Sequence, residues 1–227
     1  MKITEKFWKD LKQLPCAWLL SLQFLILILS ALTYEHLIYR ALHWVLGILV
    51  LLLIAKVIRK TPVFTALGLS FVTCAIFFAV LLVLGLREVW VFVGAHACEA
   101  AAYFCAAYGL LRYMFHDRYL TKDELFAAGA VFTLLAWGFS FLYSVCQLLW
   151  PYSFSSPAEL PRQAWFDLLF LSFSVQSATG LSDVMPISPL SRLLVMIQMF
   201  CGVMYLALIV SRLIALQYIA HFPDQPS

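Results

Sequence analysis

The run Ser177-Ala178-Thr179-Gly180-Leu181-Ser182-Asp183 places hydroxyls, a glycine and a carboxylate directly after an apolar segment too short to cross a bilayer. Irregular backbone at membrane depth is tolerated only where protein buries it or where it lines a water-filled cavity. The chemistry open to this loop is therefore contact between oxygen ligands and small hydrated ions. A second group lies upstream. His96, Glu99 and Tyr103 recur at spacings of three and four within GAHACEAAAYFCAAYG and share one helix face. Glu99 is an ionisable residue inside an apolar segment, which reads as a proton sensor or ion relay, or as an internal hydrogen bond joining this helix to another. His96 and Glu99 have the H-x-x-E spacing of half a metal site, but no second helix supplies the other half, so no metal is expected.

Both groups sit in a chain built for lipid. Of its 227 residues 64% are hydrophobic and 12% charged, and the mean hydropathy of +0.93 lies outside the range of soluble domains. Six apolar stretches are long enough to span: about Cys16 to Thr33, Ala41 to Ile58, Val63 to Leu86, Val89 to Tyr113, Leu125 to Trp150 and Leu190 to Ile219. A seventh, near Gln163 to Ser177, should dip in and return. The lysine-rich start, with no small-residue cleavage site after it, reads as a retained anchor. With that end in the cytoplasm, eleven of the fifteen Lys and Arg residues fall on the same side, and only Arg40, Arg87, Arg162 and Arg192 lie opposite. Both termini are then cytoplasmic, in a plasma or bacterial inner membrane. The net charge of +3 reports this topology, and no basic patch with interleaved aromatics indicates nucleic acid. The six scattered cysteines lack C-x-x-C spacing and read as apolar fillers.

The polar run His116 to Glu124 divides the chain into a four-helix membrane unit, residues 1–120, and a second unit, 121–227, made of a helix, the re-entrant segment with its loop, and a last helix. Thr121 with Glu124 has the spacing of a helix cap. The stretch WPYSFSSPAELPRQ carries three prolines and should be an irregular turret that sets the angle of the re-entrant helix. Trp150, Tyr152 and Trp165 are expected in an interfacial aromatic belt.

The order of short helix, loop, acidic residue, Pro-rich turn and long helix resembles that of tetrameric potassium channels and their bacterial six-helix relatives. In that family a T-x-G-Y-G filter is followed by Asp, an apolar pair, Pro and a P-L-x-R turn. Here Asp183, Val184, Met185, Pro186 and Pro189-Leu190-Ser191-Arg192 fall in register, with Ala178, Thr179, Gly180, Leu181 and Ser182 at the filter positions. ATGLSD thus stands where the family has T-x-G-Y-G-D. The implied fold is an all-α membrane protein with four transmembrane helices followed by an outer helix, a re-entrant pore helix with filter loop, and an inner helix.

One loop cannot enclose an ion, so the resemblance implies a homotetramer with these loops around its axis. The negative end of the pore helix would favour a cation, and potassium follows from the resemblance alone. The loss of the second Gly requires Ser182 to carry backbone strain or the loop to take another path. Leu181 lacks the ring and hydroxyl that brace the family's filter, so a wider filter with weaker potassium over sodium preference is expected. Asp183 reads either as one member of an acidic ring or as a staple to Gln176 or Trp165, and Arg192 lies near enough in sequence to neutralise it. Gly202 reads as a gating hinge or as a close helix contact. Arg212 would line the inner mouth or snorkel to head groups. The segment Val89 to Tyr113 has no basic residue before Arg112, which speaks against a voltage sensor.

The resulting expectation is a non-enzymatic pore-forming subunit that passes monovalent cations passively and needs no cofactor. The alternative is a sensor or assembly subunit that keeps the channel fold without conducting. No G-x-S-x-G, H-E-x-x-H or phosphate-cradling loop supports an intramembrane enzyme. A transporter should show symmetry between halves, and only the second half has a re-entrant segment.

Overall fold

In the computed structural model residues 15–32, 62–115, 122–155 and 160–221 are described. They form helices α1 (Pro15–Leu32), α2 (Pro62–Val83), α3 (Val89–Met114), α4 (Lys122–Leu149), α5 (Trp165–Gln176) and α6 (Pro189–His221), with two-residue strands β1 (Phe154–Ser155) and β2 (Met185–Pro186). The expected span from Ala41 to Ile58, Thr121 and the N-terminal lysines lie outside the described residues. The architecture is an all-α membrane fold. Stretches of α2, α3, α4 and α6 are long and apolar enough to cross a bilayer, and the 12-residue α5 is not.

Local chemistry sets the helix starts. Pro15, Pro62 and Pro189 open α1, α2 and α6, a position where the missing N–H is not needed and the fixed φ is already helical. Ser188 caps α6 by accepting the N–H of Ser191 on its Oγ at 3.1 Å. Asp123 and Glu124 in the first turn of α4 and Asp167 in that of α5 complement the positive helix ends.

Helix α4 is the hub, with 61% of its spanning stretch buried, against 33% or less for the other three. Small residues let α3 approach it: Ala100, Ala102, Ala106 and Ala107 of α3 share one apolar cluster with Ala127, Ala130, Val131 and Leu134 of α4. That cluster crosses the sequence division at residue 120 and reaches Leu169 of α5 and Tyr205 and Ile209 of α6. Three long-range polar contacts tie α1 to α4, the longest from Gln23 Nε2, which donates to Ala130 O at 3.5 Å. Asp123 Oδ1 accepts the N–H of Cys16 at 3.1 Å, and Thr133 Oγ1 donates to Gln23 Oε1 at 2.6 Å.

Two expectations need correction. Trp165 faces protein rather than the interface: its ring lies 6.0 Å from Trp137 and 5.6 Å from Phe141, because α5 leans on the aromatic side of α4. Trp150 and Tyr152 are exposed. The turret is not wholly irregular, since β1 pairs antiparallel with β2, Phe154 opposite Pro186 and Ser155 opposite Met185. Gln147 holds its return strand like a clasp, accepting the N–H of Gln163 at 2.8 Å and donating to its carbonyl at 2.9 Å.

Candidate functional site: the loop after the short helix

The loop begins as the cap of α5. The N–H of Thr179 donates to Ser174 O at 3.0 Å and that of Ala178 to Val175 O at 3.1 Å, while Ala178 has φ 58°. This is a Schellman motif, whose left-handed position favours glycine. The end of α2 shows the same pattern with the usual residue: Gly85 has φ 95°, with Leu86 N to Leu81 O at 3.1 Å and Gly85 N to Leu82 O at 3.2 Å. Ala178 therefore holds backbone strain of about 1 to 2 kcal/mol just after the end of α5. Gly180 is also left-handed, with φ 67°. Ser182 is not among the residues with positive φ, so the loop takes the second of the two courses open to it and moves the strain to Ala178.

Ser174 O collects four donors, the N–H groups of Thr179 and Gly180 at 3.0 and 3.3 Å and the hydroxyls of Ser177 and Thr179, each at 3.3 Å. Thr179 Oγ1 also lies 3.0 Å from Ser177 Oγ. The loop then turns outward. Ala178, Thr179, Gly180 and Asp183 are exposed, and Leu181 is 74% exposed, with no brace behind it in the single chain. Ser182 Oγ accepts the N–H of Val184 at 3.1 Å, and Val184 is buried in a second apolar cluster with Phe154, Tyr143 and Val195. The carbonyl of Ser153 accepts from Ile187 N at 2.9 Å and Ser191 Oγ at 2.8 Å, so turret, loop exit and the start of α6 are one unit.

Asp183 forms no side-chain hydrogen bond or ion pair among the described residues. Gln176 does not staple it, because that amide is engaged elsewhere. Its Nε2 donates to Phe132 O at 2.8 Å and its Oε1 accepts from Gln198 Nε2 at 3.1 Å. Arg192 does not neutralise Asp183 either; its Nε donates to Pro186 O at 3.3 Å. Gly202 lies against the backbone of Gln176, where an added Cβ would stand 2.6 Å from the carbonyl oxygen. That geometry supports the close helix contact.

His96 and Glu99 are brought together, with Nδ1 2.9 Å from Oε2. The contact stays within α3, and among the described residues it joins α3 to no other helix, where the hydrogen-bond reading expected a bond between helices. The His96 ring stacks on Phe141 of α4 at 5.6 Å, and Tyr103 stacks on the same ring at 5.5 Å. At the far end of the bundle Arg212 does not snorkel. Its Nη2 lies 3.5 Å from Oε2 of Glu124, which is only 2% exposed, and its guanidinium sits 4.9 Å from the Phe115 ring centroid. Glu124 thus reaches α6 at a distance; the cap expected with Thr121 falls outside the described residues.

Sequence reasoning missed Tyr143, Ser172 and Gln198, which join Gln176 behind the loop. The available signal was a lone amide, Gln198, in an otherwise apolar span; polar residues in such helices face protein and act as glue.

Comparison with known protein families matches residues 126–217 to one described as an ion channel. The match takes in α4 from its fifth residue onward, α5, the loop and most of α6. No curated protein and no solved structure showed significant similarity to the chain.

Proposed function

We propose that several copies of the chain, four by resemblance, assemble around the Ser177–Asp183 loops to pass monovalent cations down their gradient, a reading supported by the match of residues 126–217 to a family described as an ion channel. The observation that carries this is the exposure of the loop: a re-entrant helix delivers polar backbone to a position that one chain leaves uncovered. At membrane depth such a loop requires water and neighbouring protein. Ala178, Thr179, Gly180, Leu181 and Ser182 would supply oxygen ligands, with Asp183 at the mouth as a ring of carboxylates. Potassium is the first candidate ion through family resemblance, and the unbraced Leu181 supports weak discrimination against sodium. The process is passive transport, with no cofactor and no catalytic step. The charge bias supports cytoplasmic termini in a plasma or bacterial inner membrane. His96 with Glu99 is proposed as an intramembrane sensor.

A second reading, a non-conducting sensor or assembly subunit, is favoured by one observation. The amides of Thr179 and Gly180 turn back onto Ser174, and Leu181 and Ser182 replace the family's aromatic and glycine. The test is current and flux from purified protein in liposomes under opposed potassium and sodium gradients, beside Asp183→Ala and the double variant Leu181→Tyr with Ser182→Gly. A native current with a measurable reversal potential is expected, with sharper potassium preference in the double variant. Silence in the native protein with current in the double variant would overturn conduction in favour of the second reading.

A further inference from the structure

Three helices are tied together behind the loop by one amide. Gln198 of α6 donates through Nε2 to Ser172 O at 3.0 Å, Ser172 Oγ at 2.7 Å and Gln176 Oε1 at 3.1 Å, all on α5. Its Oε1 accepts the hydroxyl of Tyr143 from α4. The chain of donors continues in one direction, from Ser172 Oγ to Ala136 O at 2.6 Å and from Gln176 Nε2 to Phe132 O at 2.8 Å. Tyr143, Ser172, Gln176 and Gln198 are at most 1% exposed. Each amide is fixed by its neighbours, because a flipped Gln198 would set oxygen against oxygen at Ser172 and Gln176.

The spacing gives the network its mechanical meaning. Phe132 and Ala136, Ser172 and Gln176, and Gln198 and Gly202 are each i,i+4 pairs on α4, α5 and α6, so the three helices meet at two levels one turn apart. At the upper level Gln198, Ser172 and Ala136 are joined. At the lower level Gly202 abuts Gln176, which bonds to Phe132. Gln176 is the last residue of α5, and the cap that follows presents Thr179 and Gly180. Any rotation or slide of α5 therefore moves the loop directly. Leu181, 74% exposed, cannot hold it from the other side within one chain.

We propose that Gln198 is the positioning residue of the filter loop: through Ser172 and Gln176 it fixes the rotation and depth of α5, and so sets the loop geometry on which ion discrimination depends. This rests on reading Ser177–Asp183 as a filter. The inner-helix amide takes the bracing role that the residue at position 181 leaves open.

The experiment compares native protein with Gln198→Leu, Tyr143→Phe and Ser172→Ala in two readouts. Backbone hydrogen exchange across Ser177–Asp183 reports loop positioning whether or not the protein conducts. The potassium-to-sodium permeability ratio from reversal potentials reports its consequence. Gln198→Leu is expected to speed exchange in this loop at least about tenfold, because a buried network left half-satisfied loses its hold. It should also shift the permeability ratio, with exchange in α3 unchanged. Tyr143→Phe, which removes one hydroxyl and leaves the Gln198 donors in place, should change both in the same direction by less, and it reads the proposal if Gln198→Leu does not fold. Native loop exchange with a native permeability ratio in folded variants, alongside a lower melting temperature, would overturn the proposal and make Gln198 a packing amide. Faster loop exchange in a protein silent in liposomes would support the positioning role while sinking the conduction reading.

Discussion

Replacing Gly202 by Ala separates a hinge from a contact by the sign of a stability change. The new Cβ would lie 2.6 Å from Gln176 O, 3.0 Å from its Cα and 3.2 Å from its carbonyl carbon. The obstacle is backbone at the end of α5, held by the Gln198 and Phe132 hydrogen bonds, so α6 must move away by about 0.5 Å. Overpacking of this kind costs about 1 to 3 kcal/mol. Ala in place of Gly in a helix returns about 1 kcal/mol. With a rigid obstacle the upper part of the range applies, leaving a net loss of about 1 to 2 kcal/mol. Gly129→Ala is the matched control, since its nearest neighbour is the Leu20 Cδ2 methyl at 3.0 Å, the movable end of a side chain. It should stay within about 1 kcal/mol of native. The assay is unfolding in mixed micelles titrated with denaturing detergent, read by helical circular dichroism. A Gly202→Ala protein as stable as native or more so, with altered open probability, would refute the contact argument and establish a hinge.

At Ala178 the left-handed backbone predicts that Ala178→Gly raises stability by about 0.5 to 1 kcal/mol and Ala178→Val lowers it, read by thermal melting; a destabilised glycine variant would contradict the cap geometry. Glu124→Leu and Arg212→Leu should each lower stability, with the double variant costing less than the sum of the two, because each single change removes a charged partner inside the bundle. Strictly additive losses in that cycle would mean the two are not coupled. Asp183→Asn should leave stability within about 0.5 kcal/mol and lower single-channel conductance roughly twofold in dilute salt. At about 1 M salt, where charges are screened within about 3 Å, the difference should vanish, and a deficit that persists would assign Asp183 a structural role.

The helices were legible because length and hydropathy report spanning directly. The expected Val89 to Tyr113 became Val89–Met114, and the short segment near Gln163 to Ser177 became Trp165–Gln176. The pairing of His96 with Glu99 was written in their spacing, though its confinement to one helix was not. Two residues per strand are too few to show a period, so the β1–β2 ladder left no trace in the sequence. The cap at Ala178 was hidden because its usual signal is glycine. The direction of Trp165 was ambiguous because an aromatic ring at that depth suits lipid interface and protein core equally. The partners of Gln198 and Arg212 lie on other helices, as far as 88 residues away in the case of Glu124 with Arg212, and no local pattern encodes them.

The contact between Gln23 and Thr133 also dictates an order of events during synthesis. Gln23 is completely buried, and its partner in α4 lies 110 residues further along the chain. At about 5 to 20 residues per second, roughly 5 to 20 s pass between the emergence of α1 and that of Thr133. Throughout that interval the first helix carries an amide whose final acceptor and donor have not been made, in a medium that penalises unpaired polar groups by several kcal/mol. Nascent α1 is thus not yet suited to lipid on the face it will later bury. Its release into the bilayer is completed by a helix that the ribosome has still to deliver.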